Sequence, residues 1–218
     1  MIKQKRNNKQ VSPGNLSFCK LGMTDNSIAV ERHPFLPFLP TNAQVLMLGS
    51  FPPQAKRWDM PFFYPNRQND FWRIMGLIFY QDKNHFINAD GHFIQPDIMV
   101  FLEEKGIALF DTATAVRRLQ DNASDKFLEV VEATDIDALL QQIPQCNTIV
   151  TTGEKATSVI CERYGLNIPK PGSYTDFTTN RKGMRLYRMP STSKAYPLAI
   201  TKKAETYQMM FKEIGILS

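Results

Sequence analysis

Val45-Leu46-Met47-Leu48-Gly49-Ser50-Phe51-Pro52-Pro53 reads as a buried strand that ends in a stiff turn. Four consecutive large apolar residues suit a strand covered on both faces, the habit of parallel sheets. Glycine directly after the strand lets the backbone turn sharply and approach a ligand. The two prolines then fix the following backbone and remove two amide donors.

Three further runs share this character: Ile107-Ala108-Leu109-Phe110, Thr148-Ile149-Val150-Thr151 and Leu186-Tyr187-Arg188-Met189. The last is the least apolar and is expected at a sheet edge. Helical patterns separate them. Asp70 to Tyr80 sets Phe71, Ile74, Met75 and Ile78 at helical spacing, with Asn69 or Asp70 as the cap. Residues 96–105, 135–143, 154–164 and 196–214 are the other expected helices, and Gly165 is a C-terminal stop. Strands alternating with helices predict an α/β fold: three α/β/α layers around a short, mainly parallel four-stranded sheet. His33 to Pro40, HPFLPFLP, has proline at every third place and is expected to run extended over the domain surface or in a groove.

At 218 residues the chain suits one well-cored domain. Residues 1–30 are expected to form a flexible basic leader and residues 31–218 a single domain. The formal net charge is +5, and the leader contributes most of it through Lys3, Lys5, Arg6, Lys9 and Lys20 against Asp25 alone. Such a tail adds non-specific phosphate affinity or is simply solvated. No apolar run approaches the roughly 20 residues of a membrane span, and no signal peptide is expected. Cys19, Cys146 and Cys161 form no CxxC pair, and His33, His85 and His92 stand apart. Neither a disulfide framework nor a metal site is expected. Reduced cysteines suggest the cytoplasm.

Ligands in parallel α/β sheets bind beyond the carboxyl ends of the strands, so four loops carry the functional expectation. The first runs from Gly49 into Tyr64-Pro65-Asn66-Arg67-Gln68-Asn69, where aromatic rings stand beside amides. That combination suits a nucleobase, a flat face to stack on and edges to bond, or else a cluster that caps the core. Asp111 in the second loop is a helix cap or a catalytic carboxylate. In the third, Gly153 precedes a helix start with Lys155, an anion site that lacks the spacing of an NTPase loop. The fourth, Pro190-Ser191-Thr192-Ser193-Lys194, offers hydroxyls and a lysine to phosphate oxygens, or a cap to the next helix.

Taken in order, these pieces resemble the uracil-DNA glycosylase superfamily, most closely its hypoxanthine-DNA glycosylase branch and next its mismatch-specific uracil/thymine branch. Leu46 to Pro52 (LMLGSFP) is similar to the first motif, and Tyr64 to Trp72 (YPNRQNDFW) is similar to a YAHPRNxFW pattern. Gly106 to Thr112 (GIALFDT) resembles the second strand, Thr152 to Ala156 an NGxxA turn, and Met189 to Ala195 (MPSTSKA) an LPSTSPA motif. The sequence departs from the pattern at Asn66 (usually histidine), Arg67-Gln68 (Pro-Arg), Pro53 and Lys194 (proline).

The resemblance implies a DNA glycosylase that hydrolyses the N-glycosidic bond of a flipped uracil or hypoxanthine, without metal or organic cofactor. It implies that Tyr64 stacks on the base and that Gly49, Ser50, Phe51 and Asn66 line its pocket. It makes Asn69 the catalytic residue, a water-orienting amide. It implies that Ser191, Thr192, Ser193, Lys194 and Lys155 grip the DNA backbone. The partner would be DNA with a deaminated or mismatched base, engaged by a monomer. A non-catalytic nucleic-acid- or nucleotide-binding member of the same fold is the alternative.

Overall fold

The computed structural model describes residues 28–120, 125–179 and 183–217. Most of the expected leader, with Cys19, lies outside them, while Val30 already opens a strand. The elements follow the order β1 (Val30–Arg32), β2 (Val45–Gly49), α1 (Phe71–Tyr80), α2 (Gln95–Lys105), β3 (Ile107–Asp111), β4 (Ala113–Arg118), β5 (Leu128–Ala133), α3 (Ile136–Gln142), β6 (Thr148–Thr152), α4 (Glu154–Tyr164), β7 (Ser173–Thr178), β8 (Gly183–Met189) and α5 (Ile200–Glu213).

The main sheet runs β3-β2-β6-β8-β7, with the first four strands parallel and β7 antiparallel to β8. The α/β class stands, but the sheet has five strands rather than four. The additional strand, SYTDFT, buries only Phe177 fully, so it offers no apolar run to read. It also makes β8 an interior strand, not the edge its composition suggested. By contrast β2, β3 and β6 are buried at every residue, which is why β2 and β3 read as apolar runs and β6 as β-branched residues throughout. A second, antiparallel sheet, β1-β4-β5, was not anticipated. Its strand β4 begins at Ala113, with only Thr112 between it and β3, so Asp111 ends a strand and caps no helix.

The main core gathers the inner strands with Trp72, Phe101, Tyr207 and Phe211. Each such side chain, fully buried, stabilises the fold by about 1.5–3 kcal/mol. Helix α1 packs on α5, and α2, α4 and α5 contact β3, β6 and β8. Asn69 caps α1 from one residue before the cap position: its Oδ1 accepts the Phe71 N–H at 2.9 Å, while Asp70 makes no capping bond. Gly165 closes α4 in the left-handed conformation (φ 64°). In the proline-rich segment Phe38 exchanges two backbone bonds with Leu109, at 3.0 and 2.9 Å, along the outer side of β3. Phe35, Phe38 and Leu39 pack on the core and Leu36 faces solvent. No helix among the described residues is long and apolar enough to cross a membrane.

Candidate active site

The carboxyl ends of β2, β3, β6 and β8 open into a cleft of about 1160 Å³. The candidate site residues of the four loops line it: Gly49, Ser50, Phe51, Tyr64, Asn66, Asn69, Asp111, Lys155 and Ser191 to Lys194.

Backbone pairing joins the first loop to the last. Asn69 and Ser193 form an antiparallel bridge. Asp70 N–H donates to Thr192 O at 2.7 Å, and Lys194 N–H donates to Gln68 O at 3.1 Å. Helix α5 fastens the junction. Lys203 Nζ donates to Ser193 O at 2.8 Å and pairs with Asp70 at 3.3 Å, and Tyr207 donates its hydroxyl to Pro190 O at 2.9 Å. Removing Lys203 and Asp70 from water is tolerated because each finds the other and Lys203 also finds Ser193 O. The sequence gives no sign of this pair, because 133 residues separate its members.

Tyr64 adopts a left-handed backbone (φ 51°), strained for a bulky side chain by about 1–3 kcal/mol. The strain persists because the ring is held at both ends. It stacks on Phe71 with centroids 3.8 Å apart and planes within 8°, and its hydroxyl lies 3.1 Å from Thr152 Oγ1. Burial pushes the Tyr64 phenol far above its ordinary pKa, with Asp111 adding to the rise, so it stays neutral. Asn66 uses Oδ1 to accept the Gln68 N–H at 2.8 Å. Because Asn69 Oδ1 is engaged by Phe71, its Nδ2 is the part of the amide without a protein partner among the described residues. Arg67 turns to Asp59, which also holds His92 at 2.7 Å, and does not line the cleft.

In the last loop, Ser191 Oγ accepts the Ser193 N–H at 3.3 Å and Ser193 Oγ accepts the Ala195 N–H at 3.2 Å. Each hydroxyl proton stays available to an outside acceptor. Neither serine caps a helix, since α5 begins only at Ile200. Thr192 is buried (2% exposed) and contributes its carbonyl to Asp70, whereas Lys194 is exposed. Gly153 (φ 100°) lies against Ser191, and a Cβ there would stand 3.5 Å from the Ser191 Cβ.

Two cleft residues, Arg118 and Asp125, come from outside the four loops, and His33 stands buried behind Asp111. His33, from the extended segment, sits among Phe35, Phe51, Phe63 and Phe110, and its Nε2 shares a hydrogen bond with Asp111 Oδ2 at 2.9 Å. The other carboxylate oxygen, Oδ1, presses on Gly49, where a Cβ would fall 2.3 Å away. Arg118 of β4 clamps Glu31 with two bonds (3.1 and 3.0 Å) and donates to Pro52 O at 3.1 Å, bracing the proline turn. Asp125, from the β4–β5 connection, hydrogen-bonds Ser50. Burial pushes the Asp125 carboxyl above the ordinary carboxylate range; the Ser50 bond opposes this, Asp111 adds to it, and Arg118 and Lys155 oppose it. No group of three or more possible metal ligands occurs among the described residues.

No protein-family model matches the chain, and no curated protein does. Among solved structures, it is similar to the solution NMR structure of a Methanosarcina acetivorans protein provisionally assigned as a uracil DNA glycosylase. The match has a TM-score of 0.58 over 86% of this chain and 99% of that one, at 19% identity. The likeness is one of fold.

Proposed function

We propose that this chain is a DNA glycosylase of the uracil-DNA glycosylase superfamily that hydrolyses the N-glycosidic bond of a flipped, deaminated base, hypoxanthine or uracil. One observation carries the reading: the aromatic-amide loop and the Ser-Thr-Ser-Lys loop, more than 120 residues apart, are zipped into one cleft by the Asn69–Ser193 bridge. A base reader and a phosphate gripper in fixed register are what an enzyme needs to hold a nucleotide outside the stack.

In this mechanism Tyr64, braced from behind by Phe71, offers ring surface to the base. Ser191, Ser193 and Lys194 take the backbone phosphates, with Lys155 lining the same cleft. As the C1′–N bond breaks, the sugar becomes cation-like and the base takes the electron pair. Asn69 is a poor proton acceptor, and its free Nδ2 donor suits the charge growing on the base. The carboxylate of Asp111, fixed by His33, faces the same cleft and stabilises positive charge on the sugar. Water then adds to C1′ and leaves an abasic site.

The test is single-turnover incubation with duplexes containing uracil, hypoxanthine, xanthine or a G/T mismatch, followed by alkaline cleavage. Strand breaks at the lesion are expected for hypoxanthine or uracil. Tight lesion binding with no breaks on any duplex would instead identify a non-catalytic binder.

A further inference from the structure

We propose that Asp125 is the proton donor to a departing purine, which fits the cleft to hypoxanthine above uracil. The proposal rests on the glycosylase reading above and names the substrate class of that same cleft.

Asp125 reaches the cleft from the β4–β5 connection rather than from a strand-end loop, and it hydrogen-bonds the Ser50 side chain, in the turn where the base is expected to lie. It is part-exposed and is one of the residues lining the cleft. A second carboxyl group, Asp111, shares this space, but the two have unlike partners. Asp111 Oδ2 lies 2.9 Å from His33 Nε2, a ring nitrogen buried behind the cleft. The partner of Asp125 is a neutral hydroxyl, whose bond favours the ionised carboxyl less than burial and Asp111 together favour the acid form. Two carboxyl groups in one cleft with different surroundings divide acid and base roles between them.

The chemistry gives the acid a task. Uracil departs as an anion spread over two carbonyl groups, so hydrogen-bond donors suffice. A purine departs through its imidazole ring, whose acceptance of electrons is greatly improved by a proton on N7. In the proposed step the Asp125 carboxyl gives its proton to purine N7 as the C1′–N9 pair moves into the ring, and the base leaves neutral. Water oxygen bonds to C1′ and releases one proton, which returns the carboxylate to its acid form through solvent.

The groups that bear on this titration are Ser50, Asp111 with His33 behind it, Arg118 and Lys155. Burial and Asp111 hold the Asp125 carboxyl in its acid form to higher pH than an ordinary aspartate, the state the step requires.

Single-turnover excision from hypoxanthine and uracil duplexes is measured for the wild type, Asp125→Asn and Asp125→Glu across the acid-to-neutral range, with melting temperatures alongside. The wild-type rate on hypoxanthine should fall as pH rises through the Asp125 titration. Asp125→Asn, which keeps a donor but has no proton to give, should lose on the order of a hundredfold on hypoxanthine. It should change by less than about threefold on uracil and lose the pH dependence, and Asp125→Glu should recover part of the rate. Hypoxanthine excision by Asp125→Asn within about threefold of wild type, or equal losses on both bases, overturns the proposal. So does a wild-type hypoxanthine rate that rises with pH, which is read without any variant. A wild type that excises uracil and not hypoxanthine overturns the purine assignment while the glycosylase reading stands. A wild type that excises nothing overturns that reading, and this proposal with it.

Discussion

Lys203 Nζ stands 3.3 Å from Asp70 Oδ2 with 1% of the lysine side chain exposed, so a buried ion pair ties helix α5 to the residue that opens α1. Removing one partner leaves an uncompensated buried charge. Lys203→Met should destabilise the protein by about 3–5 kcal/mol in urea unfolding. The double variant Lys203→Met/Asp70→Asn should recover part of that loss. If the double variant is as unstable as the sum of the single ones, the pair is not the source of the effect.

Gly49 leaves room for the Asp111 carboxylate and for nothing more. The Cβ of Gly49→Ala would fall 2.3 Å from Asp111 Oδ1, so the carboxylate must move or the β2 turn must shift. Base excision should drop by a factor of ten or more, as about 1.4 kcal/mol of lost transition-state stabilisation would give. Far-ultraviolet circular dichroism should be unchanged. Near wild-type excision would mean that the position of Asp111 is immaterial.

Asn69 separates a capping role from a chemical one. Asn69→Asp keeps an acceptor for the Phe71 N–H but replaces the Nδ2 donor with a second oxygen. Melting temperature should therefore hold while excision falls by orders of magnitude, because a carboxylate would face the anionic base. Asn69→Ala should lose both the rate and about 1 kcal/mol of stability. Rapid excision by Asn69→Ala would remove Asn69 from the chemistry.

Lys194 is exposed at the cleft rim and its backbone is pinned to Gln68 O. Lys194→Ala should weaken binding to damaged and undamaged duplexes alike and lower the salt slope of binding by about one unit. A loss confined to damaged DNA would assign Lys194 to the base instead of the phosphates.

Much of this architecture was legible because burial on both faces leaves a plain mark. β2 and β3 show it as apolar runs and β6 as Ile149-Val150 between threonines, and the parallel arrangement then directs attention to the loops at their carboxyl ends. β7 left no such mark, since Ser173–Thr178 alternates along a half-exposed edge. β4 and β5 join a small sheet whose apolar cluster is only Phe51, Ala113, Val116 and Leu128 with Val130. Within the cleft, the residues on strand-end loops were readable from their own surroundings. His33, Arg118 and Asp125 were not, because each enters through a partner distant in sequence. His33 meets Asp111 across 78 residues and Arg118 meets Glu31 across 87, and neither separation has a local signature. A proline-rich tract and a lone histidine became informative only once the fold laid them against β3.

The two bonds that Phe38 exchanges with Leu109 decide how far the chain tolerates trimming from its amino end. They occupy the outer flank of β3, where free amides and carbonyls would otherwise act as a template for a neighbouring molecule. Shortening the protein past Pro40 removes this seal together with the His33 partner of Asp111. Such a fragment should self-associate along the bared flank, and its lost activity should be traced to aggregation as well as to the cleft.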